Sequence, residues 1–298
     1  MPRRAERACW FVPPLRWLGL ALARLPQPLL LKLGALLAWL LRPALGQRAR
    51  WARINLALCF PELDQAQREA LLRANLRDTL TAALELLRAW YAPSPIVRAL
   101  GRVEGLEHLQ AAQAQGRGVL LLTGHFPHAE LAARLVSLAL GAPVAGVVRR
   151  NNDPCVEKLL DGARALHFPV RIGKKDMRGL LRVLQRGGAV MYSADQNFSY
   201  QNAFVPFFGV PAATLTAIPD LARRGNASVL PLWIWREDDG RYVVRIDPPW
   251  DGWPSGDPAA DAARYMRELE TVVRAHPSQY LWVHRRFKTR PAGEAGVY

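Results

Sequence analysis

The residues best equipped for chemistry lie in one short stretch, Thr123-Gly124-His125-Phe126-Pro127-His128-Ala129-Glu130. His125 and Glu130 are five positions apart, about 140° around a continuous helix, so on one helix they would not meet. Pro127 changes this. Proline is excluded from a helix interior but suits the first turn, which puts His125 in a loop and Glu130 in the opening turns of a helix. From there the carboxylate can reach back to one ring nitrogen. It would fix the tautomer and support the imidazolium formed when the other nitrogen takes a proton. No Ser or Cys adjoins the pair as a nucleophile, so the chemistry on offer is general-base activation of an acceptor hydroxyl. The same spacing is open to a surface histidine and a solvated helix glutamate. Read as metal ligands, His125, His128 and Glu130 lack a third His or Cys at a recognisable spacing, and no metal is expected.

Two further clusters carry useful side chains. Arg149-Arg150-Asn151-Asn152 follows an apolar run. A paired arginine there could hold a phosphate or stabilise an oxyanion, or be a solvated basic loop. Asp195-Gln196-Asn197 follows another run, again at a carboxyl end; alone it is a polar loop. There is no G-x-S-x-G elbow, no Walker A loop and no G-x-G-x-x-G, and no cofactor is expected.

The elements that must position these residues alternate along the chain. Apolar runs at Gly118–Thr123, Pro143–Val148, Val170–Ile172 and Ala189–Ser193 read as strands, as do Ser228–Arg236 and Arg241–Ile246. Between and after them, His128–Leu140, Val156–Leu166, Met177–Gln185, Thr214–Arg224 and Ala259–Ala275 read as helices. This alternation predicts an α/β fold, a mixed sheet with helices on both faces. It places His125, Arg149 and Asp195 at the carboxyl ends of strands, where ligands bind in such sheets. Upstream, Leu72, Leu76, Leu80, Ala83, Leu84 and Leu87 recur at helical spacing within 62–92. Asp64 and Gln67 are set for a capping box, and Pro93 and Pro95 end the helix. The expected organisation is an N-terminal segment 1–46, a helical lead-in 47–100, and an α/β catalytic region 101–298.

The N-terminal segment is rich in Leu, Ala and Trp, but its cleanest run, Leu29 to Leu41, is short of the roughly 20 residues a span requires. A membrane anchor, an interfacial helix and a buried helix pair are all open. Arg3, Arg4 and Arg7 before it and Arg48, Arg50 and Arg53 after it leave orientation unassigned. Cys9, Cys59 and Cys155 form no metal pattern and no obvious disulfide framework, which fits a reducing compartment. Net charge is +15, and only five of the 40 basic residues are lysine. Such a chain is drawn to anionic partners: nucleic acid, anionic lipid or an acidic protein. No nucleic-acid motif accompanies the charge.

These residues together resemble the late acyltransferases of lipid A biosynthesis, the lauroyl/myristoyl acyltransferase family. The resemblance runs through Asn55-Leu56 with Cys59-Phe60-Pro61-Glu62, the His-x4-Asp/Glu motif at His125 and Glu130, and Arg149 with Asn151 and Pro154. It continues in Asp195-Gln196, Val205-Pro206-Phe207-Phe208-Gly209, and the string from Gln279 through Tyr280, Trp282, His284 and Arg286 to Pro291. Many members have Gly-Asn-Trp between the motif residues, where this chain has Phe126-Pro127-His128-Ala129. The resemblance implies a glycerolipid-acyltransferase-like fold, held at the cytoplasmic face of the inner membrane by its N-terminus. It implies acyl carrier protein thioester as donor and a phosphorylated, Kdo-bearing glycolipid as acceptor. Carried over, His125 is the base and Glu130 its partner. Arg149 contacts the reacting carbonyl or a phosphate, and Arg150, Asp195 and Gln196 lie at the substrate. Alternatives are the same chemistry on another glycolipid or phospholipid, a basic nucleic-acid-binding protein, and a non-catalytic membrane scaffold.

Overall fold

The computed structural model describes residues 9–298; Arg3, Arg4 and Arg7 lie outside the described residues. The chain opens with two helices, α1 (Val12–Leu22) and α2 (Gln27–Leu41), then a 3-10 turn at Arg42–Leu45, α3 (Gly46–Cys59) and α4 (Gln65–Tyr91). The capping box forms as the sequence predicts: Gln67 N–H donates to Asp64 Oδ1 at 2.8 Å, and Asp64 N–H to Gln67 Oε1 at 2.8 Å. Gly34 of α2 and Gly19 of α1 let these helices press onto α4. A Cβ at Gly34 would sit 2.9 Å from Thr81 Cα, and one at Gly19 would sit 2.7 Å from the Tyr91 ring.

Beyond α5 (Ser94–Ala99) the α/β part begins. Its strands are β1 (Gly101–Glu104), β2 (Gly118–Thr123), β3 (Val144–Val148), β4 (Arg171–Gly173), β5 (Ala189–Ser193), β8 (Ala227–Arg236) and β9 (Tyr242–Ile246). They form one sheet in the order β1-β9-β8-β2-β5-β3-β4. Every neighbouring pair is parallel except β8 with β9, a hairpin. The central strand β2 is buried along its whole length, which explains its unbroken apolar run. The intervening helices are α6 (Leu106–Ala114), α7 (Ala129–Leu140), α8 (Pro154–Arg164), α9 (Met177–Gln185), α10 (Ile218–Gly225) and α11 (Pro258–Ala275). The mixed, mainly parallel sheet matches the α/β expectation.

Some elements differ from the sequence reading. A separate hairpin, β6 (Asn202–Phe207) with β7 (Val210–Leu215), packs beside α11. Its two-residue turn, Phe208-Gly209, has positive φ at both positions, as a type I′ turn requires. The helix expected at Thr214–Arg224 therefore starts only at Ile218, with Pro219 in its first turn. Cys9 and Cys155 are joined in a disulfide, tying the chain ahead of α1 to the start of α8. They are 146 residues apart, a pairing that spacing could not reveal, and Cys59 is buried and free. Among the described residues, no single helix is long and apolar enough to cross a membrane; α2 with Pro43–Cys59 passes on length and composition only as a pair bent by 68°.

Candidate active site

Strand register builds the site. β2 and β5 are parallel neighbours with Thr123 opposite Ser193. Two residues past each of these, at the carboxyl ends, stand His125 and Asp195. The His125 backbone N–H donates to Asp195 Oδ2 at 2.9 Å, and its ring Nδ1 lies 2.5 Å from Oδ1. Because the carboxylate can only accept, the proton belongs on Nδ1, and Nε2 is left to take a proton. The His125 side chain is 31% exposed and Asp195 1%, so a buried carboxylate backs a ring that solutes can reach. Burial alone would push the Asp195 carboxyl up. The His125 ring and backbone N–H and the Tyr280 hydroxyl outweigh it and hold the group well below the usual carboxylate range. Gly124 sits against this pair: a Cβ there would be 2.5 Å from Leu269 Cδ1.

Tyr280 donates its hydroxyl to Asp195 Oδ2 at 2.7 Å. It belongs to a C-terminal strap that runs beneath the site and is pinned by buried asparagines. Asn75 of α4 donates to the carbonyls of Ser278 (2.8 Å) and Tyr280 (2.7 Å). Asn55 of α3 donates to those of Trp282 and His284, both at 2.7 Å. Leu281 N–H closes the connection on the His125 carbonyl at 3.2 Å. His284 accepts from Asn197 N–H at 3.3 Å, and burial lowers its pKa to about 4. Arg286 is buried, donating to the Ala213 carbonyl at 2.8 Å and Thr214 Oγ1 at 2.5 Å.

The expected contact between Glu130 and His125 is not made. From the first turn of α7, Glu130 turns to α8 and α4. Arg164 Nη2 reaches its Oε1 at 2.6 Å, and the Trp90 indole N–H donates to Oε2 at 2.5 Å. The guanidinium fork offers the carboxylate more donors than one ring nitrogen could, and Asp195 already occupies Nδ1. His128 is also directed inward, 3.2 Å from Glu85 and edge-on to Tyr242. Arg149 and Arg150 stand past β3, which is not the neighbour of β2, since β5 lies between them. With about 4.8 Å per strand, β3 is roughly 10 Å away. The two arginines are exposed and, with Asn151 and Asn152, line a separate cavity of about 280 Å3. Gln196, by contrast, lines the cleft at His125. So of the six site residues read from sequence, the structure gathers His125, Asp195 and Gln196, and sets Glu130, Arg149 and Arg150 apart. Tyr280, His284, Asn55 and Asn75 received no site role from sequence. The available signals were the family resemblance at Asn55, Tyr280 and His284, which assigned them no role, and an asparagine, Asn75, among the leucines on the inward face of α4.

A histidine backed by a buried carboxylate, at the carboxyl end of a mainly parallel sheet, has the geometry of a general base that could act on a hydroxyl brought to its cleft. Residues 8–289 match the family model described as bacterial lipid A biosynthesis acyltransferase. The chain is 36% identical over 292 residues to the lipid A biosynthesis palmitoleoyltransferase of Escherichia coli K12, covering 95% of this chain and 94% of that one. It is 34% identical over 291 residues, with the same coverage, to the lipid A biosynthesis lauroyltransferase of that organism. It is 36% identical over 285 residues to a lipid A biosynthesis acyltransferase of Haemophilus influenzae, covering 92% and 90%. The chain is a member of the bacterial lipid A biosynthesis acyltransferase family, and it is an acyltransferase.

Proposed function

We propose that this enzyme moves a fatty acyl chain from acyl carrier protein thioester to a hydroxyl of a phosphorylated, Kdo-bearing lipid A precursor at the cytoplasmic face of the inner membrane. The observation that carries the reading is His125 with Nδ1 held by Asp195 and Nε2 left to act. Nε2 takes the proton of the acceptor hydroxyl as its oxygen attacks the thioester carbonyl. The tetrahedral oxyanion collapses, the C–S bond breaks, and the imidazolium returns the proton to the leaving thiolate. Asp195 stays ionised throughout and stabilises the imidazolium. Tyr280 holds the carboxylate in place. Exposed Arg149 and Arg150, at the same end of the sheet, suit phosphates of the acceptor or acidic groups of the carrier. The exposed tryptophans of the N-terminal helices suit a lipid interface.

The test uses purified full-length enzyme, acyl carrier protein thioester and the lipid acceptor, with mass spectrometry of the product. His125→Ala folds and loses about 10²–10⁴-fold in rate. A near-wild-type rate in that variant overturns the mechanism. Transfer to a phospholipid but not to the Kdo-bearing acceptor overturns the substrate.

A further inference from the structure

Between His125 and Glu130 stands a second histidine, His128, that the reaction does not use. It is the N-cap residue of α7, yet its side chain makes no hydrogen bond to that helix. Ser, Asp or Asn would cap better. The His128 side chain is instead fully buried and faces α4, with Nδ1 3.2 Å from Glu85 Oε2. A carboxylate can only accept, so the proton belongs on Nδ1. Glu85 is 1% exposed and is held from two further elements. Arg236 of β8 brings Nη1 to its two oxygens at 2.8 and 2.9 Å, and Gln27 of α2 brings Nε2 to Oε1 at 3.4 Å. Burial pushes the Glu85 carboxyl up; His128, Arg236 and Tyr242 outweigh it and bring it down to about 2. Glu85 is therefore ionised at neutral pH, and it ties the end of the His125 loop to α4.

That loop is short. It leaves β2 after Thr123 and enters α7 at Ala129, with His125 near its start. Its near end is fixed where the His125 N–H donates to Asp195 and the His125 carbonyl accepts from Leu281. Its far end is fixed where His128 meets Glu85. A base must stand within hydrogen-bond reach of the proton it takes, and a misplacement of about 1 Å can cost about 10²-fold in rate. We infer, on the reading that His125 is the base, that Glu85 is a positioning residue: through His128 it holds the far end of the loop on α4. Asp195 holds the near end, and the two anchors together set where His125 Nε2 stands. Asp78 of α4 supplies the contrast. It is also buried and shares Arg236, accepting from Nη2 at 2.6 Å. It stands two turns before Glu85, about 10 Å along the helix axis, and so away from His128.

Full-length variants are assayed with acyl carrier protein thioester and the lipid acceptor, alongside urea unfolding. Glu85→Gln keeps the side-chain volume and an acceptor for Gln27 and removes the charge that faces His128. Its kcat falls about tenfold or more, while KM for both substrates is unchanged. His128→Gln cuts the same link from the other side and loses as much. The double variant loses no more than either single one, because one link is broken in all three. Asp78→Asn weakens the same buried network, lowers stability in urea, and keeps its kcat. Should Glu85→Gln fail to fold, His128→Gln against Asp78→Asn decides alone. Wild-type kcat in folded Glu85→Gln, with His125→Ala inactive, overturns the positioning role and leaves the base in place. A near-wild-type rate in His125→Ala overturns the base and the positioning role with it. Additive losses in the double variant, or an equal kcat loss in Asp78→Asn, reduce Glu85 to support of the fold and overturn the inference.

Discussion

His125 illustrates how a catalytic residue can be legible while its partner is not. Residue type, the loop before a helix and Pro127 all mark it from sequence. The carboxylate nearest in sequence, Glu130, is drawn off by Arg164 and Trp90, and Asp195, 70 residues away, takes the ring through strand register. Register is a property of two strands at once, so single-sequence spacing cannot supply it. The geometry separates the two carboxylates by experiment. Asp195→Asn presents an amide to Nδ1, which no longer favours the productive tautomer, and kcat falls about 10²–10⁴-fold. Glu130→Gln leaves His125 and its partner untouched and loses one partly exposed ion pair, so its rate loss is much smaller. Steady-state kinetics of the two variants decide; equal losses would return Glu130 to the imidazole.

At the scale of elements, strands buried on both faces and the capped helix α4 were readable because their signals are local. The β6–β7 hairpin was not, since its alternation is interrupted by Pro206 and Pro211. Nor was the strap 277–290, which has almost no regular structure and gains its shape from side chains of α3 and α4. Asn75→Ala leaves two carbonyls without donors. We expect a loss of about 2–3 kcal/mol in urea unfolding, with kcat reduced because Tyr280 is no longer held on Asp195. Unchanged stability would remove Asn75 from the support of the site. The same strap carries a pH dependence. Burial, opposed by Asp195, sets the His284 pKa at about 4, against 6.5 when unfolded. Between those values the unfolded chain binds more protons, so stability falls as pH falls and is fully present above about 6.5. His284 accounts for at most about 3 kcal/mol of that loss. Chemical unfolding at pH 4.5 and 7 shows a smaller difference in His284→Gln, which can still accept from Asn197; an identical difference would assign the titration to other groups.

For the whole molecule, the open question is what the N-terminal helices face. Sequence reading left an anchor, an interfacial helix and a buried pair as alternatives, because composition does not say which side of a helix is covered. The structure covers one side only. α1 and α2 both pack on α4, yet Trp10 (79% exposed), Trp17 (73%), Leu18 (53%), Trp39 (72%) and Leu40 (54%) remain outside the fold. At 11 and 15 residues, neither helix is long enough to cross. Indoles at the outer surface of short helices, on a chain of net charge +15, match the chemistry of an anionic lipid interface, where the ring enters the acyl boundary and basic groups meet headgroups. We expect wild-type protein to sediment with vesicles containing phosphatidylglycerol, with a blue shift in tryptophan emission and weaker binding at high salt. Trp17→Glu and Trp39→Glu each weaken vesicle binding about 10–100-fold, from the lost burial of one large apolar side chain. Thermal stability is unchanged, because both side chains are already in solvent. Wild-type protein that stays in the supernatant, or a double variant that sediments as wild type does, would show that this surface does not meet lipid.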